Sequence, residues 1–382
     1  MSTWGDWVDE ECRLIERAGR WRSLRALEGG APTTSIVDPA TGACRAVTSF
    51  ASNDYLGLSQ HPMVKAAAIE AIERWGAGAG ASRLIVGTRP IHHELEAQLA
   101  AWRGTEAALV FASGYAANTG TLAALAAPDT VICSDELNHA SIIDGCRLAA
   151  ARGATVRVYR HADVDHLRSQ LDQTGGRRAL VVTDTVFSMD GDVAPIDALA
   201  ALCRDRDALL VLDDAHAVFD VPADLDGVEL VRVGTLSKAL GSLGGFVAGS
   251  HRFVDLLVNR ARPFVFTTAL TPADTAAALA ALGIVRSPEG EARRATLRRH
   301  IEALLPGHPT PILPVVVGDE QAAVSASAAL LEQGLLVPAI RPPTVPPGTC
   351  RLRVALSAAH TAEQVERLRA ALVALDLTVA QP

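Results

Sequence analysis

A lysine on a glycine-rich segment is the residue of this sequence best suited to covalent chemistry. Lys238 lies shortly after Thr235, where an apolar run ends, and glycines follow it up to Gly245. Glycine at that density lets backbone approach a ligand closely. A lysine amine is a useful nucleophile where its surroundings lower its pKa or a carbonyl traps it as an imine. The pattern favours a Schiff base between Lys238 and pyridoxal phosphate, with Thr235 and Ser237 near the phosphate. Taken alone, it also fits a solvated turn.

An acidic residue and a histidine precede this segment. Asp213 ends the apolar run Val211-Leu212, and His216 follows shortly after. The pyridinium nitrogen of the cofactor needs a carboxylate to stay protonated and act as an electron sink, and Asp213 suits that role. His216, with Ser188 at the end of another apolar run, suits hydrogen bonds to the phenolic oxygen. Taken alone, Asp213 also fits a helix cap.

Two turns from strand to helix carry further groups that suit this cofactor. Ser113-Gly114-Tyr115 presents backbone amides at a helix N-terminus, which favours phosphate. An ordinary N-cap explains the motif equally well. His139 is a flat side chain suited to stacking on the pyridine ring, and Tyr115 is a second flat group, although a lone histidine after a strand is more often structural. The order of all these motifs favours their acting together.

Alternating strands and helices predict how the candidate residues are positioned. Apolar, β-branched runs separated by helical stretches indicate a mostly parallel sheet covered on both faces. Ligands bind such sheets at the carboxyl ends of the strands, where the candidate residues lie. The predicted strands are 107–112, 131–134, 155–159, 179–187, 208–212, 228–233 and 245–248.

The sequence indicates three segments, which a chain of 382 residues can accommodate. Residues 1–45 are expected to be an N-terminal helical segment, with an arginine-rich helix over 8–28. Residues 46–270 are expected to form a large cofactor-binding domain. Residues 271–382 are expected to form a smaller α/β domain.

Composition disfavours several classes of protein. The chain is 49% hydrophobic and 20% charged, which indicates a globular protein. Its net charge of −8 disfavours nucleic acid and anionic membranes as partners. No apolar run reaches transmembrane length and the acidic N-terminus lacks a signal-peptide core, so a cytoplasmic protein is expected. The six cysteines are scattered without a Cys-x-x-Cys pair, and no metal site is predicted.

Short motifs with a specific order extend over nearly the whole chain. They are Ser52-Asn-Asp-Tyr-Leu-Gly, Ser82-Arg-Leu-Ile-Val-Gly-Thr, Ser113-Gly-Tyr-Ala-Ala-Asn, Asn138-His-Ala-Ser, Phe187-Ser-Met-Asp-Gly-Asp, Asp213-Asp-Ala-His, Thr235-Leu-Ser-Lys and Arg351-Leu-Arg-Val-Ala-Leu-Ser-Ala-Ala-His. Together they resemble the pyridoxal-phosphate-dependent α-oxoamine synthases. The resemblance implies an aspartate-aminotransferase-like α/β fold (fold type I), with a mostly parallel seven-stranded sheet and a smaller C-terminal α/β domain.

The resemblance implies a role for each matching residue. Lys238 would carry the cofactor as a Schiff base and later move the substrate α-proton. Asp213 would hold the pyridinium and His139 would stack on the ring; with Lys238 and His216 they are the expected catalytic residues. The remaining cofactor contacts implied are Ser188 and His216 to the phenolic oxygen, Ser113, Gly114, Tyr115 and Thr235 to the phosphate, and Thr267 or Thr268 to the phosphate of a neighbouring subunit.

Two motifs narrow the implied reaction. Ser82-Arg-Leu-Ile and Ala339-Ile-Arg-Pro-Pro-Thr-Val-Pro resemble the branch of the family that condenses L-alanine with a pimeloyl thioester in biotin biosynthesis. This is a decarboxylative Claisen-type condensation that releases CO2 and the thiol carrier, either coenzyme A or acyl carrier protein. A homodimer is expected. The implied substrate contacts are Arg353 with the amino acid carboxylate, and Arg341 with an N-terminal arginine (Arg20, Arg22 or Arg25, of which Arg22 is preferred) for the acyl substrate.

One segment departs from the family pattern and leaves alternatives open. Ala217-Val-Phe-Asp-Val-Pro222 stands where the family has a glycine-rich loop, so acyl-chain preference and thioester recognition are open. The alternatives are the same condensation with glycine or another acyl thioester, an aminotransferase or cysteine desulfurase, and a non-enzymatic interaction protein. The scattered cysteines argue against a desulfurase, and Lys238 argues against a catalytically silent chain.

Overall fold

Strands and helices alternate through most of the chain in the computed structural model, which describes residues 3–379. Residues 1–2 and 380–382, the outer ends of the predicted N- and C-terminal segments, lie outside the described residues. The strands are β1 (Ala26–Leu27), β2 (Thr33–Val37), β3 (Cys44–Ser49), β4 (Ala107–Phe111), β5 (Thr130–Asp135), β6 (Thr155–Tyr159), β7 (Arg178–Asp184), β8 (Leu209–Asp213), β9 (Leu230–Thr235), β10 (Gly245–Gly249), β11 (Ile312–Gly318), β12 (Leu335–Leu336), β13 (Ala339–Ile340) and β14 (Cys350–Ala355).

Helices separate these strands, as the sequence predicts. The α-helices are α1 (Trp4–Arg17), α2 (Pro62–Trp75), α3 (Pro90–Arg103), α4 (Gly114–Leu125), α5 (Ala140–Ala150), α6 (Val164–Asp172), α7 (Ile196–Asp205), α8 (His251–Arg260), α9 (Arg262–Val265), α10 (Pro272–Val285), α11 (Pro288–Leu304), α12 (Glu320–Glu332) and α13 (Ala362–Ala374). A π-helical turn lies at Arg83–Gly87. Within residues 3–379, no helix combines the length and apolar composition needed to cross a membrane.

Seven strands form the large sheet, in the order β4-β10-β9-β8-β7-β5-β6. The strands from β9 to β6 pair in parallel. Strand β10 runs antiparallel to both of its neighbours, β4 and β9. Each of the seven predicted strands is present, so the expected mostly parallel seven-stranded sheet of the fold-type-I class is confirmed.

The sheet is covered on both faces because its strands are apolar on both sides. In β5, Ile132 packs into one buried cluster, whereas Val131 and Cys133 pack into the cluster on the opposite face. Successive side chains of a strand point to opposite faces, so a continuous apolar run requires two covering layers. Helices α4 and α5 contribute to the first cluster, and α6 and α7 contribute to the second.

The C-terminal part contains the expected smaller α/β unit. Strands β11, β14 and β13 form an antiparallel three-stranded sheet, with β14 in the middle. Helix α12 contacts all three strands, and α11 contacts α13. The buried side chains of β11 and β14 join one hydrophobic cluster with those of α10, α11 and α13. The unit therefore shares its core with the helices that connect it to the large sheet.

The N-terminal segment differs from the prediction. Helix α1 ends at Arg17, and Gly19 follows with φ of +65°. A glycine in the left-handed region commonly ends a helix, so the predicted continuation to residue 28 is wrong. Residues 26–49 instead contribute β1, β2 and β3, which form a sheet in that order, and β3 pairs with β12. The pairing of β3 with β12 could not be anticipated, because β12 lies near the other end of the chain. The divisions at residues 45 and 270 remain predictions.

Candidate active site

The candidate residues meet at one edge of the large sheet. Asp213 ends β8, and Thr235 ends the neighbouring strand β9. Ser113 caps α4, which follows β4, and His139 caps α5, which follows β5. Because carboxyl ends of parallel strands lie at the same edge, elements that are far apart in sequence present these side chains together.

A cluster of hydrogen-bond donors lies where α4 meets the end of β9. The Ser113 hydroxyl accepts a hydrogen bond of 3.0 Å from an N–H in the first turn of α4, so this hydroxyl is a helix cap. The N–H groups of Gly114 and Tyr115 have no intrahelical acceptor. The Thr235 and Ser237 hydroxyl oxygens lie 2.7 Å apart. A Cβ on Gly114 would lie 3.4 Å from Thr235 Cβ, so the helix end and the hydroxyls are adjacent. Such donors at a helix N-terminus suit a phosphate dianion.

Two glycines after Lys238 make this arrangement possible. A Cβ on Gly245 would lie 2.5 Å from the Gly114 backbone, so only glycine allows β10 to approach the start of α4. Gly241 has φ of +59°, and a Cβ there would lie 2.4 Å from the backbone nitrogen of Ser59. The glycine-rich segment thus packs directly against two other parts of the chain.

Asp213 is buried and hydrogen-bonded through both carboxylate oxygens. Asn118 Nδ2 donates to Oδ2 at 2.6 Å, and the N–H of Ala215 donates to Oδ1 at 2.9 Å. Asn118 also donates to Ser141 Oγ at 2.9 Å, and Ser141 Oγ lies 2.7 Å from His139 Nδ1. These bonds fix the carboxylate and the imidazole relative to each other. Among residues 3–379, Asp213 has no ion-pair partner, so its charge is available to a ligand cation.

A second carboxylate, Asp184, lies beside the first. It ends β7 opposite Asp213 on β8, and its Oδ2 accepts a hydrogen bond of 2.7 Å from the N–H of His139. Burial, reinforced by the charge of Asp213, raises the pKa of Asp184 well above its usual value. Burial also lowers the pKa of His139, against the opposing charge of Asp213. His139 is therefore a neutral imidazole near neutral pH.

His216 is held by a tyrosine. Its Nδ1 lies 2.6 Å from the Tyr55 hydroxyl oxygen, and both side chains are buried. Burial lowers the pKa of His216 well below its usual value, and the positive charges of Lys238 and Arg353 add to this effect. Burial raises the pKa of Tyr55 to about 12. Both groups are therefore neutral hydrogen-bonding groups at neutral pH.

Lys238 has the surroundings of a reactive amine. Burial lowers its pKa, Asp213 and Asp184 oppose this change, and Arg353 adds to it. Within the described part of the chain, its amine has no hydrogen bond or ion pair. A partly desolvated amine with a lowered pKa is the form that acts as a nucleophile or a base. The sequence contains one other lysine, Lys65, which is exposed on α2.

Arg353 is a buried cation near this amine. It is 5% exposed, its Nε donates to the Ser188 carbonyl oxygen, and its Nη2 donates to Asn53 Oδ1 at 3.1 Å. No carboxylate within residues 3–379 forms an ion pair with it, whereas Arg351 on the same strand pairs with Asp190. A buried guanidinium without a counter-ion is costly unless a ligand supplies the negative charge, and a carboxylate fits its geometry. In this chain Ser188 contributes its carbonyl to Arg353.

Three predicted cofactor residues lie on the surface of the single chain. Tyr115 is 47% exposed, and its hydroxyl donates to Asp144. Thr267 and Thr268 are exposed, and Thr268 forms an isolated β-bridge with Ser82 beside the π-helical turn. Only the backbone of Tyr115 therefore belongs to the donor cluster within one chain.

The arginines predicted for the acyl substrate lie near the N-terminal segment. Arg341 Nη1 donates to the Gly19 carbonyl oxygen at 2.6 Å. Arg20 forms an ion pair of 2.6 Å with Glu320. Arg22 is exposed and, in the described chain, makes no hydrogen bond or ion pair. The structure thus brings Arg341 to the N-terminal segment and leaves the Arg22 side chain exposed.

Several residues that hold the site together have no role predicted from the sequence. Asn118 and Asp184 contact the predicted catalytic residues, and Tyr55 and Asn53 hold His216 and Arg353. Asn53, Tyr55 and Asn118 occur in two of the short sequence motifs, and this position was a usable signal. Asp184 had no comparable signal, because it lies inside the predicted strand 179–187, whereas the observed strand ends at this residue. Within residues 3–379, no group of three or more potential metal ligands is found.

This geometry agrees with comparisons to known proteins. The aminotransferase class I and II family matches residues 45–372. An 8-amino-7-oxononanoate synthase of Anaeromyxobacter sp. (strain K) is 48% identical, covering 99% of this chain and 98% of the relative. The enzyme of the same name from Geobacter sulfurreducens is 47% identical, covering 95% of this chain and 96% of the relative.

The chain belongs to the 8-amino-7-oxononanoate synthase family. It is therefore an enzyme, as the resemblance to α-oxoamine synthases implied, and the readings as a non-enzymatic protein or a desulfurase are not supported. Among solved structures, a serine palmitoyltransferase from S. paucimobilis with bound PLP-myriocin aldimine superposes with a TM-score of 0.87 at 30% identity, covering 97% of this chain and 98% of the other. An 8-amino-7-oxononanoate synthase from Francisella tularensis shares the fold. It superposes with a TM-score of 0.69 at 24% identity, covering 86% of this chain and 98% of the other.

Proposed function

We propose that this member of the 8-amino-7-oxononanoate synthase family binds pyridoxal 5'-phosphate at the Lys238 cluster. The residues present fit each part of that cofactor. The open end of α4 with Thr235 and Ser237 suits the phosphate, and Asp213, which lacks a cation partner, suits the pyridinium nitrogen. His139 would lie against the ring, and His216 with Ser188 would serve the phenolic oxygen. The amine of Lys238 would bond covalently to the aldehyde carbon, with loss of water.

The proposed reaction joins L-alanine to a pimeloyl thioester and gives 8-amino-7-oxononanoate, CO2 and the free thiol carrier. Pyridoxal phosphate supplies, when bound, an electron sink for the carbanion at the alanine Cα. Arg353 binds the alanine carboxylate, and the displaced amine of Lys238 takes the proton from Cα. The Cα then forms a bond to the acyl carbonyl carbon as the thiolate leaves, the former alanine carboxylate departs as CO2, and a proton returns to the same carbon. The unpaired, buried guanidinium of Arg353 is the observation that supports an amino acid substrate.

Residues at the surface support a homodimer. Leu84, Ile85 and Val86 of the π-helical turn are 50%, 73% and 65% exposed, and Phe266 is 68% exposed. A contiguous apolar surface of this kind commonly marks an interface. Thr268 bridges to Ser82 next to this surface, so Thr267 or Thr268 would reach the phosphate bound by the partner. A fully active monomer in light scattering would overturn this proposal.

Borohydride reduction of the chain loaded with pyridoxal phosphate tests the covalent site. Because the chain has two lysines, the reduced cofactor is expected on the peptide that contains Lys238 and not on the one that contains Lys65. Lys238→Ala is expected to lose both the label and thiol release from pimeloyl-CoA. Lys65→Ala, on an exposed face of α2, is the matched control and should retain both. Retention of thiol release by Lys238→Ala would contradict the assignment.

A further inference from the structure

The residue after Asp213 lies on the opposite face of the large sheet. Asp213 bonds to Asn118 of α4, on the face that α4 and α5 cover. Asp214 bonds instead to Arg232 of β9. The neighbours of Arg232 in that strand are valines that pack into the cluster on the α4 face, so Arg232 points to the other face. The two adjacent carboxylates therefore face opposite layers of the molecule.

Three side chains hold the Asp214 carboxylate, which is buried. The Thr185 hydroxyl donates to Oδ1 at 2.6 Å, and Arg232 Nη1 donates to Oδ2 at 2.8 Å. Nη1 of Arg103, at the end of α3, lies 3.7 Å from the same Oδ2. The guanidinium carbon of Arg103 also lies 3.7 Å from the centre of the Trp102 ring. Hydrogen bonds between charged groups are stronger where water is excluded, so this carboxylate is firmly fixed.

Backbone hydrogen bonds of the same residues fix the main chain of Asp213. The N–H of Thr185 donates to the Asp213 carbonyl oxygen at 2.8 Å, and the N–H of Asp214 donates to the Val233 carbonyl oxygen at 2.8 Å. Thr185 therefore holds Asp213 through its backbone and Asp214 through its hydroxyl. These contacts join the ends of β7, β8 and β9. A shift of the Asp214 side chain would thus move the adjacent residue, whose carboxylate suits the ring nitrogen of the cofactor.

We propose that Asp214 and the three side chains that hold it position Asp213 for its contact with the pyridinium nitrogen. The inference rests on the proposed function, in which Asp213 meets that nitrogen. Asp214 faces away from the cofactor and is a positioning residue. With an amide in place of its carboxylate, the guanidiniums of Arg103 and Arg232 would lose their shared counter-ion and repel each other. The end of β8 would then hold Asp213 less firmly, and its bond to the ring nitrogen would weaken.

A cofactor analogue separates positioning of Asp213 from a general effect on the fold. Pyridoxal phosphate is titrated into the cofactor-free, full-length chain, and a second titration uses 1-deazapyridoxal 5'-phosphate, which has carbon in place of the ring nitrogen. Both have the aldehyde that bonds to Lys238, but only pyridoxal phosphate offers a nitrogen to Asp213. Asp214→Asn is expected to raise Kd for pyridoxal phosphate about ten-fold and to leave Kd for the analogue unchanged.

Two further variants accompany this test. Asp172→Asn is the matched control, because Asp172 forms an ion pair with Arg206 on the surface of the chain, and it is expected to change neither Kd. Thr185→Val removes one donor to Asp214 and leaves the ion pairs of that carboxylate in place, so it is the milder change. It is expected to raise Kd for pyridoxal phosphate roughly three-fold and to leave Kd for the analogue unchanged.

The unmodified chain tests the proposed function separately from this inference. If it binds pyridoxal phosphate no more tightly than the analogue, the contact between Asp213 and the ring nitrogen is wrong, and the inference fails with it. If it prefers pyridoxal phosphate, but Asp214→Asn and Thr185→Val weaken the binding of both ligands equally or of neither, the positioning role is wrong and the proposed function stands.

Discussion

Arg353 shows how one residue links structure to substrate. Its guanidinium is buried, bonded to the Ser188 carbonyl and the Asn53 side chain, and not neutralised by any carboxylate of the described chain. Burying such a charge without a counter-ion is unfavourable, and this supports the proposal that the substrate supplies an anion at this position. Arg351, two residues earlier, is neutralised by Asp190 and is therefore a structural cation.

Arg353→Lys is expected to raise KM for L-alanine about ten-fold or more. Lysine keeps the charge but loses the planar pair of donors that fits a carboxylate. Steady-state thiol release at varied L-alanine gives the measurement, with Arg351→Lys as the control because its partner is a protein carboxylate. An unchanged KM in Arg353→Lys would show that the alanine carboxylate binds elsewhere.

The sequence predicted residues at the ends of strands better than it predicted their partners. Lys238 and Asp213 were identified because each follows an apolar run, and the structure places these runs side by side as β9 and β8. Asn118 lies in one of the short motifs, but its role cannot be predicted from the motif, since its contact with Asp213 joins residues 95 positions apart. The Tyr55–His216 contact spans 161 positions. Local spacing carries no information on such contacts, because they depend on how the elements pack.

At the scale of elements, the turn that contains Ser188 joins the large sheet to the C-terminal unit. Asp190 pairs with Arg351 of β14, and the Thr310 hydroxyl donates to the Gly191 carbonyl at 2.7 Å. On the other side, His161 Nε2 lies 2.8 Å from Asp192, and its Nδ1 lies 3.0 Å from Asp135 at the end of β5. The turn is therefore held by the C-terminal unit on one side and by the large sheet on the other.

The His161 contacts predict a pH dependence of stability. Burial opposes protonation of His161, but hydrogen bonds to Asp135 and Asp192 and the charges of these acids raise its pKa to about 10. Its usual value is about 6.5. The charged imidazole therefore stabilises the folded chain fully below about pH 6.5, and this stabilisation is lost as the pH rises towards 10.

His161→Gln is thus expected to lower the free energy of unfolding by about 2 kcal/mol at pH 6, and by progressively less towards pH 10. Urea unfolding at pH 6, 8 and 9.5 measures the difference. His251→Gln, at an exposed position at the start of α8, is the control and should have little effect at any of these values. A difference that is constant or grows with pH would rule out the charged cluster.

At the scale of the whole molecule, sequence periodicity was informative where strands are apolar on both faces. Central strands of the large sheet such as β5, β7 and β8 met that condition, whereas β14 alternates apolar residues with Arg351 and Arg353. The N-terminal strands did not, since β1 has two residues and both are exposed. Their sheet is completed by β12, and Asn53 contacts Arg353 across 300 positions. The chain therefore closes its active site with parts from both ends, which composition and spacing do not reveal.

Thiol release from pimeloyl-CoA by the holoenzyme, with L-alanine and glycine compared at equal concentration, tests the proposed reaction most directly. Thiol and CO2 are expected in equal amounts with L-alanine, and thiol release with glycine is expected to be at most roughly one-tenth as fast. Equal or faster release with glycine would contradict the assignment of L-alanine as substrate. No thiol release with any amino acid, in a chain that binds pyridoxal phosphate, would contradict the proposed condensation itself.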